Sequence, residues 1–260
     1  MKQNKAEKLL AGVLSISLAM GVSVMPAFAA SGETYADMDS VVIKKNYELA
    51  NEGTFSPAET FSFDIEADNV TDASDDITPE NMPMPTIGTV SYRRGEAGST
   101  TKTKEIKIDL PKYDSVGVYT YIIHEVAGGS AGVTYYGDAI LLRVTVIEQD
   151  GKLRIAAVHT EDPESTGEGK KDDFDNLYSA GELEVHKDVE GTMGNKDKYF
   201  EFTVQLTGEE GKTYQDSYAI TGGSYDANPT SIEIKPGEAT EATFYLKDGD
   251  TIHIENLPYG

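Results

Sequence analysis

The chain has 260 residues and a formal net charge of −23 at pH 7, and it contains no cysteine. The absence of cysteine excludes disulfides, thiol catalysis and the common structural zinc sites. The acidity argues against nucleic acid or an anionic membrane as a partner, because both carry the same sign of charge. The length allows about two domains.

Residues 1–29 have the three regions of a secretory signal peptide. These are a basic segment with Lys2, Lys5 and Lys8, an apolar run at residues 9–25 and a small-residue cleavage site at residues 27–29. The apolar run is too short and wrongly flanked for a membrane span. We therefore expect a secreted protein that begins at or near Ala30, with residues 30–39 as a flexible N-terminus and no membrane insertion after cleavage.

The first predicted strand, residues 41–47, carries a lysine on its apolar face. Side chains alternate between the two faces of a strand, so Lys45 falls on the same face as Val41, Ile43 and Tyr47. Burying an unpaired ammonium is costly. Lys45 therefore either reaches water from a strand end or has a partner in the core.

Further short strands are predicted between segments rich in turn-forming residues. They lie at residues 61–65, 89–93, 105–110, 116–126, 139–148, 153–158 and 174–178. Residues 68–88 are acidic and contain three prolines, so we interpret them as a surface loop.

Two of these strands carry a polar residue among apolar ones. In residues 116–126, Glu125 falls on a face with two tyrosines and an isoleucine. The opposite face is also fairly apolar, so either face can point inward. In residues 174–178, Asn176 falls on a face with two aromatic residues.

A domain boundary is predicted near residues 179–181. The next strand, residues 183–190, repeats the first pattern, with Lys187 on an otherwise apolar face. Later strands lie at residues 199–206, 218–220, 231–234, 243–246 and 251–255. Many short strands and no convincing amphipathic helix predict an all-β fold of two tandem sandwiches, residues 40–178 and 181–260.

Other candidate chemistry is weaker. Residues 128–132, Gly-Gly-Ser-Ala-Gly, match the nucleophile elbow of hydrolases, but that motif needs a helix after it and a strand follows here. A loop of small residues is the simpler interpretation, and Ser130 is not expected to be a nucleophile. The four histidines are scattered, and the aspartates at 72, 75 and 76 lack EF-hand spacing, so no metal or cofactor is predicted.

Lys45, Glu125 and Asn176 would have a defined chemistry if the fold brought them together in a dry core. Burial lowers the pKa of an amine and raises that of a carboxylic acid, so such a pair can share a proton as two neutral groups. The amine is then a nucleophile. The acid can polarise the asparagine amide and carry the proton to departing ammonia. The product is a Lys–Asn isopeptide bond.

The first unit resembles the streptococcal pilin isopeptide-linkage domain of Gram-positive major pilins. The matching segments are residues 43–46, 61–63, 117–125 and 174–176. The second unit is similar to the C-terminal pilin domain through residues 183–191, 200–206 and 246–258. The resemblance implies Ig-like (CnaB-like) sandwiches, an isopeptide bond between Lys45 and Asn176 with Glu125 as the proton shuttle, and Lys187 as the corresponding lysine of the second domain.

The resemblance also implies a structural protein of the cell surface or cell wall, a pilus backbone subunit or adhesin stalk, and not an enzyme that turns over. Pilins of this family are joined to other pilin subunits by sortase through a lysine near the end of the first domain, and Lys170 and Lys171 lie close to that place. The sequence stops at Gly260, before the family's second glutamate and asparagine, so we expect an incomplete second domain with Lys187 unpaired. The alternative is an adhesin module whose loop at residues 68–88 binds a host or matrix ligand.

Overall fold

The computed structural model describes residues 38–164 and 169–259. Within these two ranges the chain forms sixteen β-strands and no helix, which confirms the predicted all-β fold. No helix in the described ranges has the length and apolarity needed to cross a membrane. The predicted signal peptide, residues 1–29, and most of the predicted flexible N-terminus, residues 30–39, lie outside the described residues.

Ten strands form the first sandwich. They are β1 (Ser40–Leu49), β2 (Glu59–Thr71), β3 (Thr86–Ile87), β4 (Val90–Tyr92), β5 (Thr103–Asp109), β6 (Gly117–Val126), β7 (Val133–Thr134), β8 (Ala139–Gln149), β9 (Lys152–Glu161) and β10 (Asp173–Tyr178). They make two five-stranded sheets, ordered β3-β5-β1-β10-β7 and β4-β2-β6-β8-β9. Buried side chains from both sheets form one continuous core.

The first and last strands of this sandwich are neighbours. β1 pairs antiparallel with β5 on one side and parallel with β10 on the other. In the parallel ladder Lys45 lies opposite Phe174, and Tyr47 lies opposite Asn176. The predicted alternation of β1 holds, because Lys45 and Tyr47 are buried while Lys44 is exposed. The two chain ends of the domain therefore run side by side in one sheet.

The loop predicted at residues 68–88 is shorter and better packed than expected. β2 continues to Thr71, past an irregularity between Ala67 and Asn69 that interrupts its alternation. In the segment that follows, the Met82 side chain is buried in the core. The Tyr121 hydroxyl donates a hydrogen bond of 2.6 Å to the carbonyl oxygen of Pro83. The interpretation of residues 68–88 as a surface loop is therefore wrong in part, because residues 68–71 belong to β2, residues 86–87 form β3, and Met82 packs into the core.

The second sandwich follows after Ser179. Its strands are β11 (Ala180–His186), β12 (Phe200–Thr207), β13 (Tyr218–Gly222), β14 (Ser231–Ile232), β15 (Ala239–Leu246) and β16 (Thr251–Pro258). The sheets are β11-β16-β13-β14 and β12-β15. Phe244 and Ile254 are fully buried between them. The apolar face of β12 is only half-buried, so this core is more open to water than that of the first sandwich.

Candidate crosslinking site

Three strands bring the predicted polar residues to one point in the first core. Lys45 projects from the middle of β1 and Asn176 from the neighbouring β10, while Glu125 projects from β6 in the facing sheet. The exposed fractions are 0% for Lys45, 8% for Glu125 and 2% for Asn176. The face of β6 that carries Glu125 is therefore the inward one, which the sequence left open.

The three side chains form a closed triangle of hydrogen bonds. Lys45 Nζ donates to Glu125 Oε2 at 2.7 Å and also to Asn176 Oδ1. Asn176 Nδ2 donates to the other carboxyl oxygen, Glu125 Oε1. Two backbone groups complete the site: Lys45 Nζ donates to the carbonyl of Phe174 at 3.3 Å, and the Tyr136 N–H donates to Asn176 Oδ1 at 3.2 Å. The amine thus lies beside the amide group of Asn176.

Aromatic rings exclude water from this triangle. Lys45 Nζ lies 4.4 Å from the centre of the Phe61 ring, a distance at which a cation interacts favourably with the ring face. The Phe174 ring packs against Phe63 and Tyr136, with ring centroids 5.0 and 5.2 Å apart. Phe61 and Phe63 were predicted to lie in an alternating strand and are part of the resemblance at residues 61–63, but no role at the site was predicted for them. Tyr136 was not predicted, because its contribution comes from a backbone N–H that no residue type reveals.

Burial makes the Lys45 ammonium easier to deprotonate than an exposed lysine. Burial lowers its pKa from 10.5 to about 8, although the hydrogen bond and negative charge of Glu125 and the charge of Asp175 act in the opposite direction. A buried pair of full charges carries a large desolvation cost. The site therefore places an amine of lowered pKa next to the amide group of Asn176 and the carboxyl group of Glu125.

The lowered pKa of Lys45 predicts that stability depends on pH in a variant that cannot form the crosslink. In Asn176→Ala, the lysine stays free and buried. Its folded pKa of about 8 lies below the unfolded value of 10.5, so between these values the unfolded chain binds more protons. The free energy of unfolding should therefore stay level below pH 8. Between pH 8 and 10.5 it should rise by at most about 3 kcal/mol. Urea unfolding at a series of pH values measures this.

The control for that experiment is Lys45→Met in the same Asn176→Ala background. Methionine fills similar space without a titrating group, so the part of the pH slope that belongs to Lys45 should vanish. An equal slope in both backgrounds would show that other groups cause it.

The two lysines considered for intermolecular linkage lie just before β10. Lys170 Nζ is 2.7 Å from Asp172 Oδ2. Lys171 Nζ lies between two carboxylates, 2.8 Å from Asp173 Oδ1 and 3.2 Å from Asp175 Oδ2. Partial burial alone would lower the pKa of Lys171, but the hydrogen bonds to these aspartates raise it above its usual value. The two aspartates therefore hold Lys171 in its protonated form, in which the amine is not a nucleophile.

Lys187 is in a different environment from Lys45. It lies immediately after β11 and is half-exposed. Its Nζ donates to the backbone oxygen of Asp188 at 2.6 Å and lies 4.8 Å from the centre of the Phe200 ring. Among the described residues, no glutamate–asparagine pair meets it as Glu125 and Asn176 meet Lys45.

The other candidate groups do not form a reaction centre. Ser130 lies between β6 and β7, and its backbone N–H donates to the Tyr135 hydroxyl at 3.1 Å. A strand follows it, so the helix required by the hydrolase motif is absent from this described segment. In the second domain, His253, Glu182 and Glu184 offer ligand atoms within 4.8 Å of one another. They lie on the outer surface, where the Glu182 carboxylate raises the pKa of His253 by pairing with it.

The amino-acid sequence matches two protein families. Residues 41–179 match the Spy0128-like isopeptide containing domain. Residues 181–260 match a domain of unknown function, DUF7601. A pilin of Streptococcus pyogenes serotype M1 is 27% identical over 248 residues, covering 92% of this chain and 71% of that pilin. The pilus tip adhesin Cpa of Streptococcus pyogenes is 36% identical over 78 residues, which are 30% of this chain and 10% of the adhesin.

Solved structures show the same fold. The crystal structure of the major pilin from Streptococcus pyogenes superposes with a TM-score of 0.59 at 22% identity, covering 86% of this chain and 80% of the pilin. The major pilin protein T3.2 of Streptococcus pyogenes serotype GAS13637 gives a TM-score of 0.56 at 23% identity, with the same coverage of both chains. The arrangement of sheets described above is therefore that of a major pilin.

Proposed function

Because this chain belongs to the family of Spy0128-like isopeptide containing domains, we propose that its first domain forms an amide bond between Lys45 Nζ and the side-chain carbon of Asn176. The chain is a pilin-like structural protein, and the bond is its internal crosslink. The observation that carries the proposal is the buried triangle in which Glu125 contacts both the amine and the amide nitrogen through different oxygens.

The bond forms by a proton transfer followed by acyl transfer. Glu125 Oε2 accepts a proton from the Lys45 ammonium, and the neutral amine attacks the amide carbon of Asn176. Developing charge on Asn176 Oδ1 is stabilised by the Tyr136 N–H, a fixed donor aimed at that atom. Glu125 Oε1 gives a proton to the Asn176 nitrogen, which leaves as ammonia. The carbon–nitrogen bond to ammonia breaks and the bond to Nζ forms. Nζ then gives its second proton to the Glu125 carboxylate, so that ammonium, carboxylate and amide become an isopeptide amide, ammonia and a carboxylic acid.

Enforced proximity supplies much of the rate, because folding turns a bimolecular reaction into one between groups already in contact. The reaction happens once per molecule, so Glu125 serves a single self-crosslinking event and not turnover. The intact mass of the mature chain tests the proposal, since the bond lowers that mass by one ammonia.

The crosslink suits a subunit that carries force in a surface fibre. Lys45 and Asn176 lie on neighbouring parallel strands that begin and end the domain. A pull on the two ends of the domain would act on a covalent bond instead of separating the sheets between them. We infer an exported pilus backbone subunit or adhesin stalk that assembles with other pilin subunits at the cell surface.

A ligand-binding adhesin module is the second candidate, but its main motivation is weakened. It relied on the predicted surface loop at residues 68–88 as the part that contacts a host or matrix ligand. The packing of Met82 and the hydrogen bond from Tyr121 to Pro83 hold part of that loop against the core.

Subunit linkage by sortase is expected to use Lys170 or Lys171. Changing both to alanine should abolish the ladder of covalent polymers when the chain is expressed with its sortase in a Gram-positive host. Lys170→Ala should have the larger effect of the two single changes, because Lys171 is held protonated by two aspartates. Polymers are detected by electrophoresis of cell-wall extracts under denaturing conditions.

Lys44→Ala is the matched control. It removes a nearby exposed amine and should leave the ladder of polymers unchanged. A normal ladder from the double variant would show that another amine is used. If Lys170→Ala gave a normal ladder and Lys171→Ala gave no ladder, Lys171 would be the linking residue.

A further inference from the structure

The loop at residues 128–132 contacts the second domain. It resembles a nucleophile elbow but has no part in the crosslinking site. Thr213, in the segment before β13, donates its backbone N–H to the carbonyl of Gly129 at 2.8 Å. Its carbonyl accepts from the backbone N–H of Ala131 at 2.9 Å. These two bonds form a parallel β-bridge between Thr213 and Ser130. A single residue of the second domain therefore pairs with this loop as a neighbouring strand would.

A second contact comes from Asn256 near the end of β16. Its Oδ1 accepts from the backbone N–H of Phe55 at 2.6 Å, and its Nδ2 donates to the carbonyl of Phe55 at 2.9 Å. Nδ2 also lies 3.2 Å from the hydroxyl of Tyr178, the last residue of β10. One side chain thus pairs with both backbone groups of a residue in the other domain.

The backbone of Asn256 is in the left-handed region, with φ of +61°. This conformation is uncommon outside glycine, although asparagine tolerates it better than most residues. A non-glycine residue held there indicates that the surrounding contacts determine its conformation.

The glycine that ends the loop permits the close approach of the two domains. A Cβ at Gly132 would lie 2.6 Å from the carbonyl oxygen of Ser179 and 2.9 Å from Cβ of Pro258, and the residue has φ of +76°. Both the space and the conformation require glycine here. Gly132, the last of the small residues that resemble a nucleophile elbow, is therefore explained by packing between the domains.

We propose that the loop at residues 128–132, together with Asn256, forms a clamp that holds the second domain against the first so that the two move as one rigid body. The linker between β10 and β11 is the single residue Ser179. The clamp engages two separate elements of the second domain, the segment that contains Thr213 and strand β16. A hinge movement at Ser179 must therefore break at least one set of these hydrogen bonds. This inference does not depend on whether the isopeptide bond forms.

Amide hydrogen exchange and ¹⁵N relaxation of the whole mature chain test the clamp. In the parent, both domains should give one rotational correlation time, and the amides of Phe55, Ala131 and Thr213 should be protected. Asn256→Gly removes the side chain and tolerates the positive φ. It should accelerate exchange at Phe55 by about tenfold or more, as expected for a lost hydrogen bond. Ala131 and Thr213 do not contact Asn256 in the described structure but should also exchange faster, because the clamp opens as a unit.

Asn195→Gly is the matched control. It makes the same change at an exposed residue of the second domain whose side chain accepts from the backbone N–H of Asp197 in its own loop, so the variant should behave as the parent does. Protection of the buried amides of Ile252 and Ile254 reports that the second domain of Asn256→Gly is folded. Two different correlation times in the parent would overturn the proposal. Faster exchange confined to Phe55 in the folded Asn256→Gly variant would also overturn it, and if that variant fails to fold, the parent's relaxation data still decide.

Discussion

After correction for the mass of the substitution itself, the mature Glu125→Ala variant is expected to be one ammonia heavier than the parent. The parent should lose ammonia when Lys45 joins Asn176. The variant cannot move the proton from the amine to the leaving nitrogen, so both side chains should stay unlinked. Intact-mass spectrometry of the purified proteins measures the difference. Lys45→Ala and Asn176→Ala should give the same result, because each removes one partner of the bond.

The lysine next to Lys45 provides a matched control. Lys44 points to the opposite face of β1 and is exposed, 3.9 Å from Asp172. Lys44→Ala should therefore keep the full loss of ammonia. A parent with its complete, unreduced mass would exclude the crosslink. A deficit that persists in Glu125→Ala would exclude the proposed role of that carboxyl group.

The size of the deficit also distinguishes the two domains. Lys187 is half-exposed and donates to the backbone of Asp188. We therefore expect it to remain a free amine and the parent to lose one ammonia, not two. A second lost ammonia would show that Lys187 also reacts.

Loss of the crosslink should lower the stability of the first domain by roughly 5 kcal/mol. Treated like a disulfide, a bond that closes a loop of about 130 residues restricts the unfolded chain by that amount in the chain-entropy model. For a domain of this size the corresponding fall in Tm is about 15 °C. Differential scanning calorimetry of the parent, Glu125→Ala and Asn176→Ala measures this, with Lys44→Ala as the control.

Two different variants are needed because each removes other contacts besides the bond. Glu125→Ala leaves the buried ammonium without its partner, while Asn176→Ala keeps the Lys45–Glu125 pair. The decrease common to both is the contribution of the crosslink. In the parent, the second domain should unfold first, because its core is more open and has no covalent closure. A Tm within a few degrees of the parent's in Asn176→Ala would contradict this account.

The side-chain alternation of individual strands was predictable from sequence. A lysine, a glutamate and an asparagine each interrupt an apolar face, and the structure places Lys45, Glu125 and Asn176 on inward faces. The alternation within single strands could not show that these three side chains meet. It depends on the parallel pairing of β1 with β10, which are far apart in sequence, and on the facing sheet that supplies Glu125.

Other parts of the site leave no signal in residue types. The Tyr136 N–H acts through its backbone, and its position depends on where the short strand β7 places the chain. The packing of Met82 was hidden by an acidic, proline-rich segment typical of an exposed loop. The docking of residues 128–132 was hidden because small residues allow close approach without indicating what approaches.

The most direct test of the central claim is tandem mass spectrometry of a proteolytic digest of the mature parent protein. The account predicts one branched peptide in which the side chain of Lys45 is joined to that of Asn176, absent from Glu125→Ala. Linear peptides carrying an unmodified Lys45 and an unmodified Asn176, with no branched species, would contradict it.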